Sequence, residues 1–103
     1  MTIIKKDYIS FEWNDAKNES NKLKHGVSFE TALTIFFDEK HLVQKDFVQS
    51  GEQRWKALGR VENSMLILFV GHIYTADTGE EVIRIITARR ATTHEEKEYY
   101  GNH

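Results

Sequence analysis

The run Val82-Ile83-Arg84-Ile85-Ile86-Thr87-Ala88-Arg89-Arg90-Ala91 decides how the fold of this chain is interpreted. It begins with β-branched residues, which are typical of a strand, and it ends with two adjacent arginines. Guanidinium groups are costly to bury without a partner. Two interpretations are therefore open. The run is either a strand with one exposed face and internal salt bridges, or a rigid surface that presents guanidinium groups to phosphate, which their fork geometry suits.

The composition predicts a single folded domain over residues 1–103, with 40% hydrophobic and 12% aromatic residues. The sequence contains no cysteine, so it forms neither disulfides nor thiolate metal sites. No segment reaches the apolar length of a membrane helix, and the N-terminus lacks the apolar core of a signal peptide. We therefore expect a cytoplasmic protein that makes no membrane contact.

Positive charge is concentrated in two segments, although the chain as a whole has a net charge of −2. These segments contain no acid; they are residues 54–60, with Arg54, Lys56 and Arg60, and residues 84–90, with Arg84, Arg89 and Arg90. The remainder of the chain has 8 basic and 16 acidic residues. Because salt screens charges beyond about 8 Å, a local basic patch binds phosphate whatever the total charge. The patches predict an anion-binding surface narrower than a general nucleic-acid coat.

Two helices are predicted in the first part of the chain. Asn14 is a suitable N-cap for a polar helix that continues to about Lys24, with Asp15 in its first turn and Gly26 as its terminator. Its few apolar residues predict a helix that covers the protein rather than forming its centre. Ser28 caps the second helix, whose apolar residues have the spacing of a core-facing stripe: Phe29, Ala32, Leu33, Phe36 and Phe37.

After these helices the apolar pattern changes to a period of two, which is typical of strands. Strands are predicted over residues 41–45, 53–60, 65–70 and 82–91, after a weaker one over 8–13. Regular alternation along the last strand places Arg84 and Arg90 on one face and Arg89 on the other. His72, just beyond the apolar strand, is expected at the edge of the sheet.

A short last helix begins at Thr92 or Thr93, with a capping box to Glu95 or Glu96 respectively. The order of elements predicts an α+β domain. We expect an antiparallel-rich sheet of four or five strands, with two N-terminal helices on one face and a short C-terminal helix.

Two groups of residues, and the spacing between them, resemble the toxins of the BrnT family. The first half contributes Phe11-Glu12-Trp13, Asp15, Lys17, Asn21, Lys24-His25-Gly26-Val27-Ser28-Phe29, Ala32 and Phe36-Phe37-Asp38. The second half contributes Glu52, Arg54, Gly59-Arg60, Arg84-Ile85-Ile86-Thr87-Ala88-Arg89-Arg90-Ala91, Glu95 and Tyr99. The resemblance covers residues 11–100, with Asn14 as a minor departure.

This resemblance implies the toxin of a bacterial type II toxin–antitoxin pair, with a fold similar to that of RelE-type ribonucleases. Such a toxin cuts RNA and inhibits translation. The implied partner is a BrnA-like antitoxin, which forms a hetero-oligomer with the toxin and recognises operator DNA through its own ribbon-helix-helix domain. No cofactor is implied.

Cleavage of RNA without a metal requires the 2′-hydroxyl to attack the adjacent phosphorus in line. The reaction then needs a proton acceptor, positive charge near the phosphate, and a proton donor. With the resemblance, the residues expected to be catalytic are Arg84, Arg60, Arg89 and His25. Those expected to bind RNA are Arg54, Lys56, Arg90 and Tyr99. The histidines show no spacing that indicates a metal site, so none is expected.

Several of these candidates also have a purely structural interpretation. His25, in the last turn of a helix, is a good partner for the helix dipole. Arg90 is close enough in sequence to pair with Glu95 or Glu96, and Tyr99 is suited to packing the last helix onto the sheet. The sequence leaves the proton carriers unassigned. It also leaves open an alternative function, a non-catalytic binding module whose basic face docks an antitoxin or nucleic acid.

Overall fold

The chain folds around one sheet of six strands, with helices on both of its faces. The computed structural model describes residues 1–101, apart from the side chain of Asp77. The strands are β1 (Thr2–Lys6), β2 (Ile9–Trp13), β3 (Leu42–Gln49), β4 (Glu52–Arg60), β5 (Ile67–Asp77) and β6 (Glu80–Arg90). The helices are α1 (Asp15–His25), α2 (Phe29–Leu33) and α3 (Thr93–Gly101), and a 3-10 turn (Thr34–Phe37) follows α2. Residues 102 and 103 of the predicted domain lie outside the described residues.

The sheet is mixed, with the strand order β1-β2-β6-β5-β4-β3. Four of its pairings are antiparallel, whereas β2 pairs with β6 in parallel. The α+β class is therefore confirmed, but the expected sheet of four or five strands is wrong. The additional strand is β1, which forms an edge of the sheet and leaves Ile3 and Ile4 exposed. Because no face of it is buried, its sequence lacks the period of two that predicts a strand.

The main core lies between the sheet and the first two helices, and we call this side of the sheet the helix side. Ser28 caps α2 as predicted, its Oγ accepting the N–H of Thr31 at 3.1 Å. The helix then tightens into the 3-10 turn, which buries Ile35 completely and leaves Phe36 half-buried. The buried core residues of this side include Phe11, Trp13, Phe29, Ala32, Leu68, Val70, Ile83, Ile85 and Ala88.

Helix α1 is attached to this core by two buried asparagines rather than by an apolar stripe. Asn18 accepts the backbone N–H of Phe29 at 2.8 Å and so fixes the start of α2. Asn21 donates to the carbonyl oxygen of Ala88 at 2.8 Å and accepts the N–H of the same residue at 3.2 Å. A polar sequence therefore forms a docked helix because its asparagines satisfy buried backbone groups, and each satisfied group avoids a cost of about 1–3 kcal/mol.

Helix α3 packs on the opposite side of the sheet. Its Tyr99 is 3% exposed and forms a second buried cluster with Leu58, Ile67 and Phe69, which alternate along their strands with residues of the helix-side core. The cluster places α3 at one end of this face. No helix within the described residues is long and apolar enough to cross a membrane.

Candidate nucleic-acid interface

A β-bulge in β6 determines which arginines share a face of the sheet. Gly71 of β5 pairs with Thr87 and the next residue, His72, pairs with Ile85, so Ile86 is an extra residue in β6. Such a bulge changes the alternation of side chains beyond it. Arg84 lies between the buried Ile83 and Ile85 and points away from the helix side.

Beyond the bulge, Ala88 belongs to the helix-side core and Arg89 points to the other face, where its guanidinium lies 4.1 Å from the centre of the Phe69 ring. Arg90 pairs in register with Leu68, a helix-side core residue, and so lies on the helix side at the end of β6. The expectation from regular alternation is therefore wrong. Arg84 shares its face with Arg89, and Arg90 lies on the opposite one.

Strand β4 adds further positive charge to the face of Arg84. Leu58 of this strand packs under α3, whereas its neighbour Ala57 lies in the helix-side core, so the strand alternates regularly there. The structure thus brings five predicted site residues onto one side of the sheet, which we call the basic face: Arg54, Lys56, Arg60, Arg84 and Arg89.

Carboxylates lie near three of the arginines of the basic face. Arg84 Nη1 is 3.5 Å from Glu12 Oε1, and Arg54 Nη2 is 3.9 Å from Glu52 Oε1. The Arg54 Nε atom is buried and has no hydrogen-bond partner among the described residues. These long contacts hold the two guanidinium groups weakly, because partly exposed ion pairs contribute only about 0–1 kcal/mol. Arg84 and Arg54 are thus able to exchange a carboxylate for a phosphate.

Arg89 is held much more firmly. Its guanidinium donates to both oxygens of Glu95, at 2.8 and 3.0 Å. Glu95 also accepts the N–H of Thr92 at 2.8 Å, which forms the predicted capping box of α3. The hydrogen bond from Arg89 is the largest influence that lowers the pKa of Glu95, to about 2. The salt-bridge interpretation therefore applies to Arg89, which links β6 to α3.

A second set of polar groups lies where the basic face meets α3. The Asp38 carboxylate accepts the Tyr99 hydroxyl at 2.5 Å, the N–H of Arg60 at 2.9 Å and the N–H of Lys40 at 3.0 Å. Burial favours a higher pKa for Asp38, but these three hydrogen bonds and the charge of Arg60 lower it below its ordinary value. Burial and the bond to Asp38 raise the pKa of Tyr99 to about 12.

These groups border a cavity of about 560 Å³, which we call the Asp38 pocket. Tyr100 and the exposed Met65 also line it, so the pocket combines aromatic surface with positive and negative groups. In the sequence, Asp38 stands out only as part of the Phe36-Phe37-Asp38 group that resembles the BrnT family. Its partners Arg60 and Tyr99 are 22 and 61 residues away along the chain, so no local pattern indicates them.

The predicted histidine does not join this site. His25 is the last residue of α1, just before Gly26, whose φ of 71° ends the helix. Because α1 packs on the helix side, His25 and Arg84 lie on opposite sides of the sheet. His72 was expected at an edge, which is wrong, since β5 extends to Asp77 between β4 and β6 and His72 is 2% exposed.

Within the described residues, no group of three or more histidine, aspartate and glutamate side chains is arranged to hold a metal ion.

Together the fold and the site define a small α+β protein with a basic sheet face of the kind that binds nucleic-acid phosphates. The family described as a ribonuclease toxin, BrnT, of a type II toxin–antitoxin system matches residues 13–95. The chain belongs to this family, so it is a ribonuclease toxin of a type II toxin–antitoxin system, and membership of the family implies an antitoxin partner. A comparison with curated proteins finds no match.

Proposed function

We propose that this toxin is a metal-independent endoribonuclease with a RelE-like arrangement, which cleaves RNA on its basic face and thereby inhibits translation. The observation that supports this most directly is the bulge at Ile86, which brings Arg84 and Arg89 to the face of Arg54 and Lys56. These charges gather in a chain with a net charge of −2, which favours one local phosphate site over general nucleic-acid binding.

In the proposed reaction, Arg84, Arg54 and Lys56 hold the scissile phosphate. The 2′-oxygen attacks the phosphorus, the bond from phosphorus to the 5′-oxygen breaks, and the products are a 2′,3′-cyclic phosphate and a 5′-hydroxyl. A base takes the 2′-hydroxyl proton and an acid gives a proton to the 5′-oxygen. The guanidinium groups stabilise the additional negative charge that the phosphorus carries in the transition state. Arg89, held by Glu95, adds charge from a fixed position.

The Asp38 pocket supports a binding role for Tyr99 and Arg60 at the end of this face. The Tyr99 hydroxyl gives its hydrogen to Asp38, and a side-chain hydrogen bond with Arg60 joins the three residues into one polar network at the end of the face. A phenol with a pKa of about 12 stays protonated at neutral pH. Tyr99 therefore positions the RNA, and we assign no proton transfer to His25, which lies behind the sheet.

For the partner, we propose a BrnA-like antitoxin that forms a hetero-oligomer with the toxin in the cytoplasm. In this proposal the antitoxin recognises operator DNA through its ribbon-helix-helix domain, and the toxin contacts that DNA only through the antitoxin. An antitoxin that excludes the RNA phosphate from Arg84 would explain neutralisation.

The test is cleavage of RNA by the purified chain, with and without ribosomes, in the presence and absence of EDTA. We expect cleavage that survives EDTA and falls about 10²–10³-fold in Arg84→Ala, because one charged donor to the transition state is removed. Lys24→Ala, an exposed substitution on α1, is the matched loss of a positive charge. Absence of cleavage under all conditions, with normal bacterial growth on expression, would exclude the enzyme.

A non-catalytic binding module is the second candidate, and the carboxylates around the arginines favour it. Glu12, Glu52 and Glu95 already occupy positions that an acidic segment of a partner would take. Arg84→Ala separates the two functions. A binding module loses affinity for its partner, whereas the nuclease loses turnover and largely keeps antitoxin binding.

A further inference from the structure

The helix side of the sheet contains a cavity of about 330 Å³ that the proposed nuclease does not use. It lies beyond the 3-10 turn, over strands β2, β3, β4, β5 and β6, and we call it the histidine pocket. Three aromatic and three titratable side chains give it its character: Phe36, Trp55, Tyr74, His41, His72 and Glu81. Its volume is at the lower end of the range of ligand sites, enough for one side chain or one small ring.

In both histidines of the pocket, the Nδ1 atom faces a backbone carbonyl oxygen. His41 Nδ1 is 2.7 Å from the carbonyl oxygen of Asp38, and His72 Nδ1 is 3.2 Å from that of Val70. A carbonyl oxygen only accepts, so each Nδ1 carries the hydrogen, and in a neutral ring Nε2 is then an acceptor. Both rings also pack edge-on against Phe36, with centroids 5.7 and 5.2 Å away.

Of the two histidines, His72 gives the stronger indication of a ligand. It is 2% exposed, lines the cavity, and its Nε2 atom has no hydrogen-bond partner within residues 1–101. Burial lowers the pKa of His72, so its ring is neutral at physiological pH. An acceptor at the wall of a cavity is open to a ligand that supplies a donor.

The tyrosine and the glutamate of the pocket also offer acceptors rather than donors to a ligand. The Tyr74 hydroxyl gives its hydrogen to Glu81 at 2.6 Å, so neither group offers a hydrogen to a ligand. Among the described residues, Tyr74 is the one hydrogen-bond partner of the Glu81 carboxylate, since Lys5 pairs with the neighbouring Glu80 at 3.5 Å. Residues 75–81 contain three acids and no base. Lys45, which lies opposite Trp55 in the register of β3 and β4, is exposed to solvent.

We infer that the histidine pocket binds an arginine side chain of the antitoxin. A guanidinium supplies several donors in one plane, so it can serve His72 and Glu81 together while it stacks on Trp55, and a compact ammonium cannot. The acidic segment disfavours RNA, whose phosphates it repels. The identity of the partner rests on membership of the toxin family, whereas the preference for guanidinium rests on the pocket alone.

The test uses the full chain and N-acetyl-arginine-N-methylamide, followed through the NMR signals of the Trp55 indole and the His72 imidazole. We expect saturable shifts with a Kd on the order of 10 mM for this single side chain. The citrulline analogue, which has the same shape without the charge, should bind about tenfold more weakly. Equal shifts from both compounds, or none, would overturn the inference.

Glu81→Gln should weaken binding of the arginine analogue about fivefold to tenfold. Glu19→Gln on α1 is its matched control, an exposed acid away from the pocket, and it should leave binding unchanged. Neither substitution touches the basic face, so RNA cleavage should persist in both, which keeps this test independent of the nuclease assay. Shifts caused by a short RNA would make the pocket a nucleobase site. Tighter binding of free arginine than of the blocked analogue would make it a small-molecule site.

Discussion

Tyr99 and Asp38 are 61 residues apart in sequence, yet the Tyr99 hydroxyl donates to Asp38 Oδ2 at 2.5 Å. The same carboxylate accepts the N–H of Arg60, the last residue of β4. One side chain therefore connects the loop after the 3-10 turn, the end of β4 and helix α3. Since α3 has only Tyr99 buried, this connection fixes where the helix lies against the basic face.

We expect Asp38→Asn to lower the free energy of unfolding by about 1–3 kcal/mol, because an amide is a poorer acceptor for three donors. Tyr99→Phe should cost about 1–2 kcal/mol, and the double variant should cost less than the sum of the two. Urea denaturation of the four proteins measures this coupling. Glu39→Gln, an exposed acid next to Asp38, should stay within about 0.5 kcal/mol of wild type. Strictly additive losses would show that the two groups do not interact.

The pair of Arg89 and Glu95 makes stability depend on pH in a defined direction. The pKa of Glu95 is about 2 in the folded chain against an ordinary value of 4.5, so folding favours the ionised carboxylate. Its contribution is therefore fully present above pH 4.5 and is lost as the pH falls towards 2. We expect wild type to exceed Glu95→Gln by about 1–3 kcal/mol at neutral pH, after allowance for solvent screening of the partly exposed Arg89.

Urea denaturation at a series of pH values tests this expectation, with the difference between wild type and Glu95→Gln as the observable. That difference should shrink as the medium becomes acidic. Glu96→Gln, an exposed neighbour on the same helix, should give a small difference at every pH. A Glu95→Gln curve parallel to wild type would mean that the Arg89 contact does not hold the carboxylate in its ionised form.

The parts of the fold that the sequence predicts are those whose causes are local. The stripe of Phe29, Ala32 and Leu33 predicts α2 because its residues lie within two turns of one helix. The capping box from Thr92 to Glu95 likewise involves only neighbouring residues. For the same reason, alternation along β4 correctly places Arg54 and Lys56 on one face.

The features that local sequence patterns do not predict depend on distant residues. Ala88 lies two residues after the bulge at Ile86. Its N–H and carbonyl groups hydrogen-bond to Asn21, which is 67 residues earlier in the chain. A period of two carries no information about that contact, so regular alternation predicts the wrong face for Arg89. Strand β1 has no buried face, and Asp38 receives donors only after the sheet and α3 have come together.

Because Arg84 and His25 lie on opposite sides of the sheet, we expect their substitutions to have different effects on the rate of RNA cleavage. Arg84→Ala should reduce the rate constant of cleavage about 10²–10³-fold. His25→Gln should change it less than about threefold, because the imidazole lies behind the sheet and a rate effect needs contact with the reacting atoms. Single-turnover cleavage of one RNA measures both. An equal loss in the two variants would contradict the separation and restore His25 as a catalytic candidate.

Asn21 offers a test of whether the bulge holds the basic face together. Asn21→Ala removes the bonds to both backbone groups of Ala88, so we expect a loss of about 2–4 kcal/mol and faster hydrogen exchange of the Ala88 amide. Asn18→Ala is the matched control, since it removes a buried bond to Phe29 and a partly buried bond to Glu30 but touches no residue of β6.

Both variants should lose stability, but only Asn21→Ala should expose the Ala88 amide selectively and weaken RNA binding through a displaced Arg89. Native-state hydrogen exchange, measured where both variants are folded, separates the selective effect from global unfolding. If the Ala88 amide exchanges equally fast in the two variants, the bulge persists without Asn21. The bulge would then be caused by the close approach of Thr87 to Gly71. A Cβ added to Gly71 would lie 2.8 Å from the Thr87 methyl group.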